Sequence, residues 1–242
     1  MYTLSRFNPI RAAAKWWDAK VHVTSTSNLV SQWITQYNLS SAGQPTTGNQ
    51  PTYSSDGEGP LILFNGNQEY LSAANMQPTH NTGIYLVFQN AEQIGDDTFT
   101  AVRPILASSH VDGPFRDDSG GFGMALRYPG NPGIYIKVPS TGTSTSQIIE
   151  YSLIHDGFYY IMSLRSNAGA VTAELNNLSI GSATIDKTTG FDLGYLFGGD
   201  PSTQDRWFYG GLKAVIWVNF YPNNLLHAQI KDFLYTYYDI TI

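Results

Sequence analysis

Short apolar segments separated by turn-forming residues run through this chain of 242 residues from residue 61 onward. Glycine, proline, asparagine or aspartate stands between neighbouring segments, a pattern typical of β-strands rather than helices. Predicted strands lie at 61–64, 84–88, 104–107, 121–128, 134–138, 147–154 and 158–165. The sequence therefore predicts an all-β protein.

Two hairpins are predicted along the second half of the chain. Asp156-Gly157 separates two of the predicted strands, and both residues accept the positive φ that a two-residue hairpin turn requires. Residues 171–175 alternate apolar and polar side chains, and the alternation resumes at Leu178 after Asn176-Asn177. Because asparagine tolerates the left-handed conformation, this pair is a second predicted turn.

The last predicted strand and a helix close the chain. Residues 210–218 are apolar on both faces, which predicts a central strand with Leu212, Ala214 and Ile216 on one face and Val215 and Trp217 on the other. Leu225, Leu226, Ile230, Phe233, Leu234 and Tyr237 then recur at helical spacing. We expect one short helix over about 224–236 with Asn223 as its N-cap.

Segments at the two ends of the chain carry a family resemblance. They are Trp16-Trp17-Asp18-Ala19, Val30-Ser31-Gln32-Trp33, Gln50-Pro51-Thr52-Tyr53, Leu63-Phe64-Asn65-Gly66 and Phe208-Tyr209-Gly210-Gly211-Leu212. Together they resemble the opening and closing signatures of the concanavalin A-like (laminin-G-like) lectin/glucanase jelly-roll superfamily, in its phage and bacterial surface-protein type. The resemblance spans roughly residues 8–240.

This resemblance implies a two-sheet antiparallel β-sandwich with one short C-terminal α-helix. It places Trp16, Trp17 and Trp33 in the core, and it implies binding of a glycan or a protein more than catalysis. Aromatic residues make up 14% of the chain, enough to fill a large core. We expect one lectin-like jelly-roll domain over 16–242, preceded by an N-terminal arm over 1–15 that is a possible assembly anchor. Residues 35–60 are predicted to form one long loop.

Several functions are disfavoured by what the sequence lacks. The net charge is −6 and the 13 Lys and Arg residues are scattered, whereas a nucleic-acid-binding protein would show a basic stripe. No apolar run is long enough to span a membrane, and the N-terminus lacks the pattern of a signal peptide. Cysteine is absent, so the fold depends on packing without disulfides.

The sequence also predicts no catalytic residues. Glucanases of this superfamily carry alternating acids on one strand, where two carboxylates act as nucleophile and acid/base. Here Asp56 and Glu58 stand in glycine-rich turn sequence, and the adjacent Asp117 and Asp118 would point to opposite faces of a strand. The histidines form no metal-binding motif, and there is no nucleophile elbow. We therefore expect a protein that is not an enzyme.

Two predicted loops have the composition of lectin sites, with acids, an arginine and an aromatic residue. The candidate glycan-binding residues are Asp112, Arg116, Asp117 and Asp118 in the first loop and Asp205, Arg206 and Trp207 in the second. The alternative to glycan binding is that both segments are exposed loops in which an arginine pairs with an aspartate. In that case Trp207 belongs to the core. No cofactor is expected, but calcium is possible because several relatives in the resembled superfamily bind it at the rim formed by their loops. The candidate ligands are the loop acids Asp96, Asp97, Asp112, Asp117, Asp118, Asp200 and Asp205.

The sequence favours two functions over a third, a glycosidase with unfamiliar catalytic residues. The first is a virion structural protein, a phage capsid decoration or fibre-associated module displayed at the virion surface, with capsid or fibre proteins as partners and host-surface glycans as ligands. Such a protein would be made in the host cytoplasm. The second is a free bacterial carbohydrate-binding lectin or adhesin. The first hypothesis is favoured by the phage-type resemblance.

Overall fold

The computed structural model describes residues 14–37, 39–74, 76, 79–91, 102–108, 122–127, 133–139, 149–151, 154–155, 157–185, 194–199 and 207–240. These residues form 17 strands followed by an α-helix. Residues 1–13 of the predicted arm lie outside them, and Ala14 and Lys15 already belong to the first strand. None of the helices within the described residues is long and apolar enough to cross a bilayer.

The first sheet is antiparallel and has β17 (Tyr209–Val218) near its centre. On one side of β17 the order is β8 (Thr82–Asn90), β13 (Tyr159–Asn167), β14 (Ala170–Leu175) and β15 (Leu178–Thr184). On its other side β6 (Gly59–Asn65) pairs with one half and β1 (Ala14–Asp18) with the other half. β5 (Thr52–Asp56) continues the sheet beyond β6.

The second sheet is also antiparallel and packs over the first. Its order is β12 (Ile149–Tyr151), β11 (Gly133–Lys137), β10 (Gly123–Arg127), β9 (Val102–Ser108), β16 (Gly194–Phe197), β7 (Leu71–Ala74), β4 (Ser41–Gly43), β3 (Leu29–Ile34) and β2 (Val23–Thr26). Two isolated pairings join the two sheets, Leu29 with Thr52 and Trp17 with Thr35. The predicted all-β sandwich is confirmed.

One continuous apolar core lies between the sheets. Alternate residues of β8, namely Ile84, Leu86 and Phe88, face it, and Trp17 and Trp33 are fully buried in it. Both indoles pack edge-on against Phe197, with ring centroids 5.3 and 5.9 Å apart. Edge-to-face packing of this kind adds to the stabilisation from buried area alone. The predicted burial of the tryptophans is confirmed, although Trp16 is buried on the outer face of the first sheet, against Phe233 and Tyr237 of the C-terminal helix.

A β-bulge in β17 changes the predicted faces of this strand. The register with β8 shifts between Leu212 and Ala214, so Lys213 is an extra residue. Leu212 consequently joins Val215 and Trp217 in the core between the sheets, while Ala214 contributes to the outer face. The prediction that Leu212 shares a face with Ala214 was wrong because regular alternation does not anticipate a bulge.

Two further local predictions were wrong because strand partners are chosen over long sequence distances. Both edges of β13 are occupied, by β8 and β14, so no hairpin forms across Gly157, and β12 pairs with β11 in the other sheet. The segment 35–60 is not a single loop, since it contains β4 and β5. By contrast, the turn at Asn176 is confirmed, with a φ of 54°.

The helix α1 (Asn224–Tyr238) packs on the outer face of the first sheet. The Asn223 side chain accepts a hydrogen bond from the Leu226 amide, which confirms the predicted N-cap. Ile230 and Leu234 are buried against Tyr85, Val87, Ile161, Ala214 and Ile216 of the sheet. Leu225 is 70% exposed, so its assignment to the packed face was wrong. Leu225 belongs to the first turn of the helix and is not among the residues that pack against the sheet.

A buried polar cluster holds the start of α1 to the sheet. His227 lies between Tyr85, whose hydroxyl is 3.0 Å from Nδ1, and Glu174, whose carboxylate is 3.0 Å from Nε2. The same carboxylate accepts a hydrogen bond from Lys231 and contacts Arg165 at 3.5 Å. Because each charged group has a partner, the cost of burying them is offset.

A second cluster ties the N-terminal strand to the end of α1. The buried Asp18 carboxylate accepts hydrogen bonds from the hydroxyls of Tyr237 and Tyr238, each at 2.8 Å, and from the Gln36 amide at 2.6 Å. Burial raises the pKa of Asp18, although the Lys20 backbone amide, the two tyrosine hydroxyls and the Lys20 charge oppose the increase. The first and last described elements are therefore joined by side-chain contacts.

Gly198 is a position where a side chain is incompatible with the fold. Its φ is +89°, and an added Cβ would lie 2.0 Å from Phe64 Cε1. We expect Gly198→Ala to lower the free energy of unfolding by about 3 kcal/mol, from backbone strain and overpacking together. Gly48→Ala is the control, because nothing lies within 4 Å of its added Cβ, and it should change stability by less than about 1 kcal/mol. Urea unfolding that shows equal stability for both variants would contradict this packing.

Acid is expected to weaken the docking of α1. Burial lowers the pKa of His227, against the opposing effect of Glu174. Burial alone would raise the pKa of Glu174, but hydrogen bonds from Lys231 and His227 outweigh it and the pKa is lowered. In the unfolded chain, His227 binds a proton below pH ~6.5 and Glu174 binds one below pH ~4.3. The folded state binds these protons less readily, because both pKa values are lower in it. Stability should therefore fall as the pH drops.

Denaturant unfolding between pH 7 and pH 4 measures this effect. His227→Gln should remove the part of the slope near pH 6, and Glu174→Gln the part near pH 4. Asp232→Asn, on the exposed side of the same helix, is the control and should leave the slope intact. A slope that neither variant changes would show that the cluster does not set the pH response.

Candidate functional site

The predicted glycan loops can be located only through their flanking residues. Asp112, Arg116, Asp117 and Asp118, like Asp205 and Arg206, lie outside the described residues. The first loop is flanked by Ser108 and Phe122, which are joined by a backbone hydrogen bond, and Ser108 lies opposite Tyr195 at the start of β16. The second loop is flanked by Gly199 and Trp207, beyond the end of β16. The flanks of the two loops therefore lie at opposite ends of the second sheet, and the six residues stay predictions.

Trp207 is the one candidate residue within the described part of the chain. Its side chain is buried, with 7% exposure, and stacks on Tyr70 at a centroid distance of 6.2 Å. The ring also lies against Gly199, where an added Cβ would meet it at 2.2 Å. The indole is therefore packed into the end of the sandwich and does not present a ring face to a ligand. Exposed aromatic residues elsewhere at the end of the sandwich are the candidates for that role.

A tight turn beside Trp207 presents polar side chains. The Oδ1 atom of Asn65 accepts a hydrogen bond from the backbone N–H of Asn67. The backbone N–H of Asn65 in turn donates to the Glu69 carboxylate at 2.7 Å. Burial raises the pKa of Glu69, against the effect of that hydrogen bond. Gly66 has a φ of +76° and donates to the Phe208 carbonyl. These contacts fix the turn next to β17 and leave Asn65 and Asn67 exposed.

Two exposed aromatic side chains lie at the same end of the first sheet. Tyr209 is 38% exposed at the start of β17, and Phe158 is 63% exposed immediately before β13. Only β8 lies between these two strands. Gln89 of β8 is opposite Gly211 on one side and Tyr159 on the other, and Tyr209 is opposite Asn65 of β6. We call Asn65, Gln89, Phe158 and Tyr209 the aromatic rim.

Local contacts position the rim side chains. The Gln89 amide donates a 2.8 Å hydrogen bond to the Gly157 carbonyl, and the Gly157 amide donates to the Asn90 carbonyl. These bonds hold the residue before Phe158 against the end of β8. His155 packs edge-on against the Phe158 ring, with centroids 6.3 Å apart. The rim is thus built on strand ends and backbone hydrogen bonds.

The acids of the glycine-rich turn make a contact that the sequence did not reveal. The carboxylates of Asp56 and Glu58 lie 3.4 and 3.7 Å from the ammonium of Lys213. The Lys213 side chain is fully buried and packs against the Tyr159 ring. Burial lowers the pKa of Lys213, against the opposing effect of the two carboxylates. Because the amine is inaccessible, the cluster fastens the β5–β6 turn to the bulge of β17. The interpretation of Asp56 and Glu58 as turn residues is confirmed.

Among the described residues, no group of three or more His, Asp or Glu side chains is arranged to hold a metal ion. The acids considered as calcium ligands all belong to segments outside the described residues. What the described part of the site offers is therefore aromatic rings and amides, which stack on apolar surfaces and hydrogen-bond to hydroxyls.

No protein-family model matches this sequence, and no curated protein matches it. Solved structures do match. Domain 4 of AbnA, a GH43 extracellular arabinanase from Geobacillus stearothermophilus solved in complex with arabinotriose, has 14% sequence identity and a TM-score of 0.56, over 91% of this chain and 98% of that one.

Two larger proteins contain the same fold. The binding domain of Paraclostridial Mosquitocidal Protein 1 matches with 14% identity and a TM-score of 0.63, over 94% of this chain. Trypanosoma rangeli sialidase in complex with sialic acid matches with 10% identity and a TM-score of 0.61, over 92% of this chain. This chain spans 53% and 33% of their respective lengths. At such identities the likeness shows the fold alone: this chain is an antiparallel β-sandwich with the same fold as these domains.

Proposed function

We propose that this protein is a non-enzymatic lectin-like module of a virion, a capsid decoration or fibre-associated protein displayed outward for adhesion to glycans of the host surface. The single observation that carries the binding function is the aromatic rim. Tyr209 and Phe158 remain exposed although each adjoins a buried core strand. An exposed aromatic side chain beside amide side chains is suited to sugars, because a ring stacks on the apolar face of a sugar while amides bond to its hydroxyls.

The structural neighbours support the binding part of the proposal. The arabinanase domain is a single domain of similar extent, and it was solved with arabinotriose. The mosquitocidal protein match is a binding domain, and a match to the botulinum neurotoxin serotype D binding domain has a TM-score of 0.60. A glycan ligand for this chain is a proposal by analogy, because the fold serves many functions.

The polar clusters of the described residues support a binding role over catalysis. The carboxylates of Asp18, Asp56 and Glu174 all contact donors or cations that belong to the fold. None of these acids is paired with a second carboxylate across an open cleft, as glycoside hydrolysis requires. These three carboxylates thus serve packing, and the rim is proposed as the surface for a ligand.

Alanine substitutions in the rim test the binding site. We expect Tyr209→Ala and Phe158→Ala each to weaken glycan binding by about tenfold, a loss of ~1.4 kcal/mol, because each removes a stacking face. Leu225→Ala removes an even more exposed apolar side chain from α1 and should bind like the wild type. Glycan-array screening followed by calorimetry measures this. Undiminished binding by both rim variants would place the site elsewhere, with Asp117 and Asp118 as the next residues to replace.

The virion role is tested by a separate binding experiment. Purified protein is mixed with capsids stripped of minor proteins and, in parallel, with intact host cells. We expect saturable capsid binding, together with cell binding that soluble sugar competes away. Cell binding without capsid binding would favour the free bacterial adhesin. Loss of capsid binding on deletion of residues 1–12 would identify the arm as the anchor.

A further inference from the structure

We propose that Leu39 is the residue by which this protein docks onto another protein of the virion, at the end of the sandwich opposite Tyr209 of the aromatic rim. The contact rests on the proposed virion role and deepens it, because it states which end of the molecule faces the particle. Leu39 combines two unfavourable features, a strained backbone and an exposed apolar side chain.

The backbone of Leu39 has the left-handed conformation, with a φ of 50°. Among the described non-glycine residues with positive φ, it is the only one with a large apolar side chain. Asparagine, aspartate and histidine are enriched at positive φ, whereas a bulky residue there is an outlier. Backbone strain of this kind is concentrated at functional sites, so Leu39 is a candidate for a functional role.

The side chain of Leu39 contributes little to the fold. It is 83% exposed, the highest value among the exposed large hydrophobic residues of the described chain. The sandwich therefore gains almost no burial energy from this leucine. Asparagine or glycine would suit the backbone better, because both accept the left-handed conformation. An apolar pocket on a partner gives a physical reason for leucine at this position.

The turn that carries Leu39 is held by Thr35. The backbone N–H of Thr35 donates to the Ser40 carbonyl at 2.8 Å, and its hydroxyl accepts from the Ser40 N–H at 3.0 Å. The same hydroxyl donates to the Tyr37 carbonyl at 2.5 Å. Thr35 is itself buried and pairs with Trp17. A side chain that is positioned before binding loses less conformational entropy on binding.

β17 separates the two ends of the sandwich. Tyr209 stands at its first position and Val218 at its last, and ten residues of strand span about 30 Å. Ala14, the first residue of β1, pairs with Val218. The point where residues 1–13 join the sandwich is therefore at the end of β17 opposite Tyr209.

The turn after Thr35 extends toward that same end. Thr35 pairs with Trp17, and the Gln36 backbone N–H donates to the Trp16 carbonyl. The chain beyond Thr35 consequently follows β1 toward Ala14. Leu39 is thus displayed near the start of β1, and both are distant from Tyr209.

The sequence before β1 adds a second property of the partner. Residues 1–13 include Arg6 and Arg11, whereas the whole chain has a net charge of −6. Charge complementarity favours an acidic partner surface for this segment. The partner that fits is therefore a protein with an apolar pocket for Leu39 and acidic residues beside it. Such a contact leaves the opposite end of the sandwich directed outward.

Leu39→Asn tests the contact because it should change binding and stability in opposite directions. Loss of the apolar side chain should weaken binding to capsids stripped of minor proteins by about tenfold. Relief of the left-handed strain should raise the urea midpoint by about 0.3 M. Leu39→Met keeps an apolar side chain and should bind within about threefold of the wild type.

Leu178→Asn is the matched control. Leu178 is 57% exposed and begins β15, at the other edge of the first sheet from β1, so its replacement should leave capsid binding unchanged. Failure of the wild type to bind capsids would overturn the virion role itself. Full binding by Leu39→Asn would overturn this contact and leave that role standing. Sedimentation that shows Leu39-dependent self-association without capsids would assign the turn to a second copy and would also overturn it.

Discussion

The pairing of β17 with strands on both of its edges is the interaction on which the rest of this structure depends. β8 lies along one edge, and β6 and β1 share the other, so the last strand joins segments from the start, middle and end of the chain. One face of β17 contributes to the core between the sheets, and the other supports α1. Because both faces of β17 are covered, nearly all of its residues are apolar, and Lys213 is the charged exception.

The bulge at Lys213 reconciles two requirements of that strand. If β17 had no bulge, regular alternation would place Leu212 and Val215, which are three positions apart, on opposite faces. With the bulge, both pack in the core. Lys213 is accommodated because Asp56 and Glu58 supply carboxylates and Tyr159 supplies a ring face. A buried ammonium without such partners would be strongly destabilising. The turn between β5 and β6 is thereby fixed to the sheet.

The same strand presents the proposed ligand site. Tyr209 stands at its first position, where the sheet ends and the helix no longer covers it. The following Gly210 permits Phe208 to pack inward, since an added Cβ there would be 2.5 Å from the Phe208 ring. Phe158 reaches the same end through the hydrogen bonds between Gln89, Gly157 and Asn90. Strand pairing and these hydrogen bonds thus hold the backbone from which the rim side chains project.

The sequence by itself determined the local elements: the strands of the core, α1 with its Asn223 cap, and the turn at Asn176. Apolar periodicity and turn chemistry depend on near neighbours, so they can be read from the chain. Only the tertiary structure decided that β12 and β13 belong to different sheets, that Leu212 faces inward, and that Phe158 and Tyr209 lie at the same end of the first sheet. Neither aromatic residue was a sequence candidate, because their common position arises from strand pairing between distant segments. Exposure at a strand end is decided by what packs above it, which no local pattern records.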